Sequence, residues 1–219
     1  MIHPDTELRF ISQEIGCGVF ATKRIPCGTI TWTLCDFDRV FTPSEATSMS
    51  AEYREILGTY AYIDGHGNFV LCWDHARFIN HACDATSLAL GNNTEIAVRD
   101  IEPGQQITCE YGVLNLTSSL ECRCGAPNCR GLIRGDDALR NGHVWDAKVR
   151  DALPRVSRAP QPLWPFVKDR EALAAILEGR AQVPAHAGYH RPEVAPSSSA
   201  RSGATGLWTL PPVSDPAPT

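Results

Sequence analysis

Between residues 7 and 135 the apolar positions come in short runs rich in β-branched and aromatic residues, separated by Gly, Pro and Asn. Val19–Phe20, Ile30–Leu34, Tyr60–Ile63 and Asn68–Trp73 are such runs and read as short strands. Thr94–Val98 and Gln106–Tyr111 read as two more. They flank Glu102-Pro103-Gly104, where proline followed by glycine suits a type II turn. Ser44 is placed to cap a helix that continues through Ile56 and stops at Gly58. From residue 136 the period changes. Asp136–Leu153 and Asp169–Val183 have helical spacing, with Leu173, Ile176 and Leu177 on one apolar face and Asp169 as a cap. Residues 184–219 hold seven prolines and the run Ser197–Ser199 with few apolar side chains, a composition that predicts disorder. Many short, closely spaced strands followed by helices predict a β-rich α+β fold of small sheets. No internal repeat is visible.

Composition narrows the class. With 219 residues, 43% of them hydrophobic and 21% charged, the chain suits one compact domain with appendages. No apolar run approaches the ~20 residues of a membrane span, and Met1 to Glu14 is too polar for a signal peptide. The expectation is a soluble, cytoplasmic protein without a membrane partner. Residues 1–135 carry 10 basic and 16 acidic side chains, against 10 and 9 in residues 136–219. A mildly acidic front argues against direct nucleic-acid binding and suits a basic peptide partner.

All nine cysteines fall between Cys17 and Cys129. Without a secretory signal, metal binding or burial is expected before disulfides. Cys122-Arg123-Cys124-Gly125-Ala126-Pro127-Asn128-Cys129 is a C-x-C-x4-C cluster in which Gly125, Pro127 and Asn128 supply turn chemistry. Zinc takes four ligands at tetrahedral corners, so these three sulfurs need a fourth from elsewhere.

Further motifs come in a fixed order. Gly16-Cys17-Gly18-Val19-Phe20-Ala21 is first, then Arg77-Phe78-Ile79-Asn80-His81-Ala82-Cys83. Next is Ile101-Glu102-Pro103-Gly104-Gln105-Gln106-Ile107-Thr108-Cys109-Glu110-Tyr111-Gly112, and the cysteine cluster closes the series. Each is a weak signal alone. Their order and spacing over residues 7–135 together resemble the SET-domain protein lysine methyltransferases with a post-SET zinc segment, of a compact, bacterial-type form.

The resemblance implies a β-clip pseudoknot fold, in which one segment threads under another. It divides the chain into a SET domain over 7–118, a post-SET segment over 119–135, a helical extension over 136–183 and a disordered tail over 184–219. It implies two cofactors, S-adenosyl-L-methionine and a structural zinc ion. Gly16, Cys17 and Gly18 match the family's first cofactor-contacting loop, and Asn80 and His81 its cofactor-contacting pair. Cys83 matches the fourth zinc ligand beside Cys122, Cys124 and Cys129. Tyr111 matches the essential tyrosine. Tyr60 and Tyr62 fall where aromatic residues line the family's lysine channel, and Cys109 stands at the position that tends to set how many methyl groups fit.

These residue types suit methyl transfer to an amine. A free lysine has a pKa near 10.4, so supplying its neutral form at pH 7 costs roughly 4–5 kcal/mol. A dry aromatic channel disfavours the ammonium and lowers that cost, while a tyrosine hydroxyl can orient the amine. Two departures from the family stand out. Asp84-Ala85-Thr86 comes after Cys83 where the family continues with Pro-Asn, and Cys109 replaces a Phe or Tyr. The small Cys109 implies room for an already methylated amine. No cysteine-rich segment precedes residue 16, which predicts that a pre-SET zinc region is absent. Two other readings are a catalytically inactive SET-like peptide-binding module and a cysteine hydrolase using His81. No signature around Cys17, Cys27, Cys35, Cys72 or Cys109 supports the hydrolase. Trp145, Trp164 and Phe166 are expected to anchor the helical extension.

Overall fold

The structure is a computed structural model and describes residues 1–91 and 93–191. Strands β1 (Thr6–Ser12) and β2 (Gly16–Ala21) form an antiparallel hairpin. The other edge of β2 takes β10 (Gln106–Cys109), and β7 (Asn80–His81) joins β10 in parallel, giving the order β1-β2-β10-β7. A second sheet orders β3 (Ile30–Thr33), β9 (Thr94–Ala97) and β8 (Ser87–Ala89). A third orders β4 (Arg39–Phe41), β6 (Phe69–Leu71) and β5 (Ala61–Ile63). A short hairpin, β11 (Leu120–Glu121) with β12 (Leu132–Ile133), brackets the cysteine cluster. The architecture is therefore the expected β-rich α+β fold of small sheets with a C-terminal helical extension.

The helix expected from Ser44 is two helices, α1 (Pro43–Ser48) and α2 (Ala51–Tyr60). Thr42, not Ser44, caps the first. Its hydroxyl accepts from the Glu45 N–H, and the Glu45 carboxylate accepts from the Thr42 N–H, a reciprocal capping box. Met49 and Ser50 are extended and break the helix. Gly58 does not end α2: it is buried within it, and the helix carries Tyr60 out of the strand in which the sequence pattern put it.

The extension begins with α3 (Asp137–Val156), which continues past Pro154 because Val149, Ala152 and Val156 stay buried against Ile30, Leu88 and Ile96. The last helix, α4 (Arg170–Leu177), stops short of the expected Val183. Gly179 takes a left-handed φ of +71° there, and the N–H groups of Glu178, Gly179 and Arg180 fold back onto carbonyls of the last turn. Asp169 does cap it, accepting from the Ala172 N–H at 3.1 Å. Trp145 is buried and Trp164 partly so, whereas Phe166 is exposed.

The expectation of disorder over 184–219 fails for residues 184–191. A 3-10 turn, His186–Tyr189, inserts two side chains into the core. His186 Nδ1 lies 2.6 Å from Asp146 Oδ1 on α3, and the Asn115 amide donates to the Tyr189 carbonyl and accepts from the Arg191 N–H. Composition concealed this because the partners are remote. The rest of that expectation, residues 192–219 with Ser197–Ser199, lies outside the described residues. No helix among the described residues is long and apolar enough to cross a membrane.

The loop into β3 meets the end of α3 at Gly28, whose φ is +89°. A methyl group there would lie 2.7 Å from the Arg155 carbonyl carbon and 2.8 Å from the Val156 nitrogen. Gly28→Ala is expected to cost about 2–3 kcal/mol in thermal or urea unfolding. Gly104→Ala has a similar φ of +81° but open space around the added methyl, so it should cost only about 1–2 kcal/mol.

Candidate active site

The site is built where β7 and β10 run side by side. Asn80 pairs with Thr108 and His81 with Cys109. Because the strands are parallel, both leave the sheet at the same end. Cys83 emerges two residues beyond one and Tyr111 two residues beyond the other. The His81 ring spans the gap: its Nδ1 accepts the Tyr111 N–H at 3.2 Å, and its Nε2 lies 3.3 Å from Cys83 Sγ. Accepting at Nδ1 places the ring proton on Nε2. Burial first, and the Arg130 charge second, lower the His81 pKa to about 4, so the imidazole is neutral at pH 7.

Tyr111 opens a 3-10 turn, Tyr111–Val113, and its hydroxyl donates to the Ile79 carbonyl at 2.7 Å. Burial pushes its pKa well above the usual tyrosine value. The group is a fixed neutral phenol whose oxygen lone pairs remain free to accept.

A cavity opens beside it. Tyr60, Tyr62, Cys109 and Tyr111 all line this cavity, so the catalytic and channel candidates share one space. Tyr60 packs edge-on to Phe78 at 5.4 Å and Tyr62 edge-on to Trp32 at 5.9 Å. The Tyr62 hydroxyl is buried without a hydrogen-bond partner among the described residues. Trp32, Glu95 and Tyr189 line the cavity as well.

Gly16, Cys17 and Gly18 are not among the residues lining that cavity. They begin β2 rather than forming a loop, and face Asn80, whose side-chain amide donates to the Cys17 carbonyl at 3.0 Å. Gly16 has a φ of +77° and open space beside it, which leaves its backbone accessible to a ligand. Gly18 is glycine for another reason. A methyl group there would lie 2.7 Å from Gln106 Nε2 and 2.9 Å from Asn80 Nδ2. Gly16, Cys17 and Asn80 are all partly exposed, so a polar backbone edge is open beside the sheet.

The four cysteines are together. The sulfurs of Cys83, Cys122, Cys124 and Cys129 all lie within 4.8 Å of one another. Cys122 Sγ is 3.8 Å from Cys83 Sγ and 3.7 Å from Cys129 Sγ. Tetrahedral thiolates at ~2.3 Å from zinc stand about 3.8 Å apart, so the donor set fits that ion. Backbone N–H groups support the charge: Arg130 N–H donates to Cys83 Sγ at 3.3 Å and Cys83 N–H to Cys124 Sγ at 3.4 Å. Burial opposes ionisation of Cys124, but donation from Cys83 and Ala126 outweighs it and lowers its pKa to about 7.

Residues 16–112 match the family model of the SET domain. They are a SET domain. Over 155 aligned residues the chain is 28% identical to the histone-lysine N-methyltransferase Set2 of Drosophila melanogaster, covering 63% of this chain and 6% of that protein. It is 27% identical to the H3 lysine-9 specific histone-lysine N-methyltransferase of Schizosaccharomyces pombe, covering 58% of this chain and 32% of that one. The chain thus spans under a third of the length of either relative. Among solved structures, KRYPTONITE in complex with mCHH DNA, an H3(1-15) peptide and SAH aligns with a TM-score of 0.43 at 22% identity, over 61% of this chain and 30% of that one.

Sequence motifs do not reveal what ties the SET domain to the extension. Arg130, next to Cys129, makes two bonds of 2.7 and 2.9 Å to the buried Glu110, next to Tyr111. It also lies 3.3 Å from Asp137 and 5.6 Å from the centre of the Trp145 ring. Burial still leaves the Glu110 pKa raised. Glu95 belongs to no motif either, although a carboxylate within the apolar run Thr94–Val98 is a visible irregularity.

Purified protein is expected to carry one zinc ion per chain by elemental analysis. Cys83→Ser or Cys122→Ser should lose the metal. Chelation should lower the melting temperature by on the order of 10 °C. Full stability in metal-free protein would refute a structural zinc.

Proposed function

We propose that the chain is an S-adenosylmethionine-dependent protein-lysine N-methyltransferase. The observation that carries this reading is the Tyr111 hydroxyl, fixed on the Ile79 carbonyl at the wall of an aromatic cavity, next to the parallel Asn80-His81 strand of a SET domain. The kinship with histone-lysine methyltransferases favours a lysine on a protein as acceptor. The acidic front of the chain favours a basic peptide around that lysine.

S-adenosylmethionine supplies an electrophilic methyl group on a cationic sulfonium. Gly16, Cys17, Gly18, Asn80 and His81 are the residues assigned to hold it. Of these, His81 acts through its backbone, since both ring nitrogens face neighbours within the protein. The lysine side chain enters between Tyr60, Tyr62, Cys109 and Tyr111. The cavity walls exclude water and weaken the ammonium form. Tyr111 cannot act as the base because burial holds its proton. Its oxygen accepts a hydrogen bond from the amine and aims the nitrogen lone pair in line with the methyl carbon. The four cysteines hold zinc as a structural ion, since four thiolates leave no open coordination position. The Cys83 sulfur links that cluster through His81 to Tyr111.

Incubation with a labelled methyl donor, core histones and a cell lysate, with mass-spectrometric site mapping, tests the reading. Tyr111→Phe is expected to lower the methylation rate by about 10²-fold or more, with S-adenosylmethionine binding by calorimetry nearly unchanged. Donor binding without transfer to any protein would favour the inactive peptide-binding module. The wild type should add more than one methyl group per lysine, and Cys109→Phe should reduce that number. A wild-type product limited to monomethyl-lysine would remove the role given to Cys109.

A further inference from the structure

The sheet β3-β9-β8 has two faces. Ile30, Leu88 and Ile96 face α3, whereas Trp32, Glu95 and Ala89 line the cavity beside Tyr111. Glu95 pairs across the sheet with Trp32 on one side and Ala89 on the other, so a carboxylate stands in the middle of an apolar wall. The small Ala89 leaves it room. Among the described residues its one side-chain bond is from the Ser87 hydroxyl, at 3.1 Å. A half-buried carboxylate with a single neutral protein donor, set in an apolar wall, is poorly satisfied, and the Tyr62 hydroxyl, without a partner among the described residues, lines the same space.

The other ionisable groups facing this cavity are already committed. Asp64 accepts from the N–H groups of His66 and Asn68 at 2.7 and 2.9 Å, holding its own turn. Arg77 is exposed, with its guanidinium over the Phe78 ring. Tyr62, Cys72, Cys109 and Tyr111 all have their pKa values pushed up by burial and stay neutral at pH 7. Tyr189, pushed up to about 12 by burial, stays neutral as well; Glu95 differs from these groups, since burial, opposed by the Ser87 bond, raises its pKa to about 7.

We propose that Glu95 binds the cationic amine of the acceptor side chain in this cavity and takes the proton that must leave before methyl transfer. The second half of this assignment rests on the methyltransferase reading; the first half does not. An N–H bond of the ammonium breaks and its proton passes to a Glu95 carboxylate oxygen. The electron pair left on nitrogen forms the new N–CH3 bond, while the electrons of the broken C–S bond stay on the donor's sulfur. The proton on Glu95 returns to water when the product leaves. Glu95 thereby answers what Tyr111, a neutral phenol, cannot: where the proton goes.

The test uses the full chain and n-butylammonium, a lysine side-chain mimic that is cationic at both pH 6 and pH 8, with n-butanol as its uncharged counterpart. Wild-type protein is expected to bind n-butylammonium roughly tenfold more tightly at pH 8 than at pH 6, as the carboxylate ionises. Glu95→Gln, which keeps the Ser87 bond, should bind it at least tenfold more weakly at pH 8 without that pH dependence. Both proteins should bind n-butanol equally. No binding of the amine to wild type, the same affinity at both pH values, or equal affinity in Glu95→Gln would overturn the assignment. If the amine binds through Glu95 but S-adenosylhomocysteine does not bind the protein, the methyltransferase reading fails while the cation site stands. In active enzyme, Glu95→Gln should also remove the acid limb near pH 7 from the rate profile.

Discussion

The parallel contact of Asn80-His81 with Thr108-Cys109 is the constraint on which the site depends. Two segments nearly thirty residues apart leave that contact in the same direction, so the residues next along each strand are brought together. One strand delivers Cys83 to the sulfur cluster, and the other delivers Tyr111 to the cavity. His81, held neutral between them, bonds to both. An antiparallel pair would have sent Cys83 and Tyr111 to opposite ends of the sheet.

Arg130 makes the same connection in charge. It touches Glu110 before Tyr111, Asp137 at the start of α3, and the face of Trp145 within that helix. Its own N–H supports Cys83. A buried ion pair is seldom a net gain in stability, because desolvation offsets most of its attraction. The cysteine segment, the tyrosine strand and the extension all meet at this cation. Removing Arg130 would leave Glu110 buried and unpaired, at a cost of about 3–5 kcal/mol.

The extension also reaches the cavity itself. The tail of the described chain folds His186 against Asp146 and sets the Tyr189 hydroxyl on the Gly91 N–H at 3.0 Å, so Tyr189 becomes part of the cavity wall. Segments that composition marks as peripheral therefore help shape the space in which an acceptor side chain would sit. That space is lined by apolar and aromatic groups around one under-satisfied carboxylate. Such an arrangement costs folding energy and persists where binding or chemistry uses it.

The amino-acid sequence alone determined the strand-rich front, the helical extension and the close set of Cys122, Cys124 and Cys129, because each is written in local spacing. Cys122, Cys124 and Cys129 were legible since they sit within eight residues and their chemistry is narrow, whereas Cys83, 39 residues before Cys122, came only from the resemblance. The helix break at Met49-Ser50, the continuation of α3 through Pro154 and the folding of residues 184–191 were not legible. The last two are decided by partners far along the chain: the core side of α3 outweighs the proline, and Asn115 and Asp146 capture a segment that looks unstructured by composition. Glu95 shows the same division most sharply. The sequence places a carboxylate in a strand, but only the packing of three small sheets decides that it faces the cavity of Tyr111 rather than water, because the face a strand residue occupies depends on which elements cover the sheet.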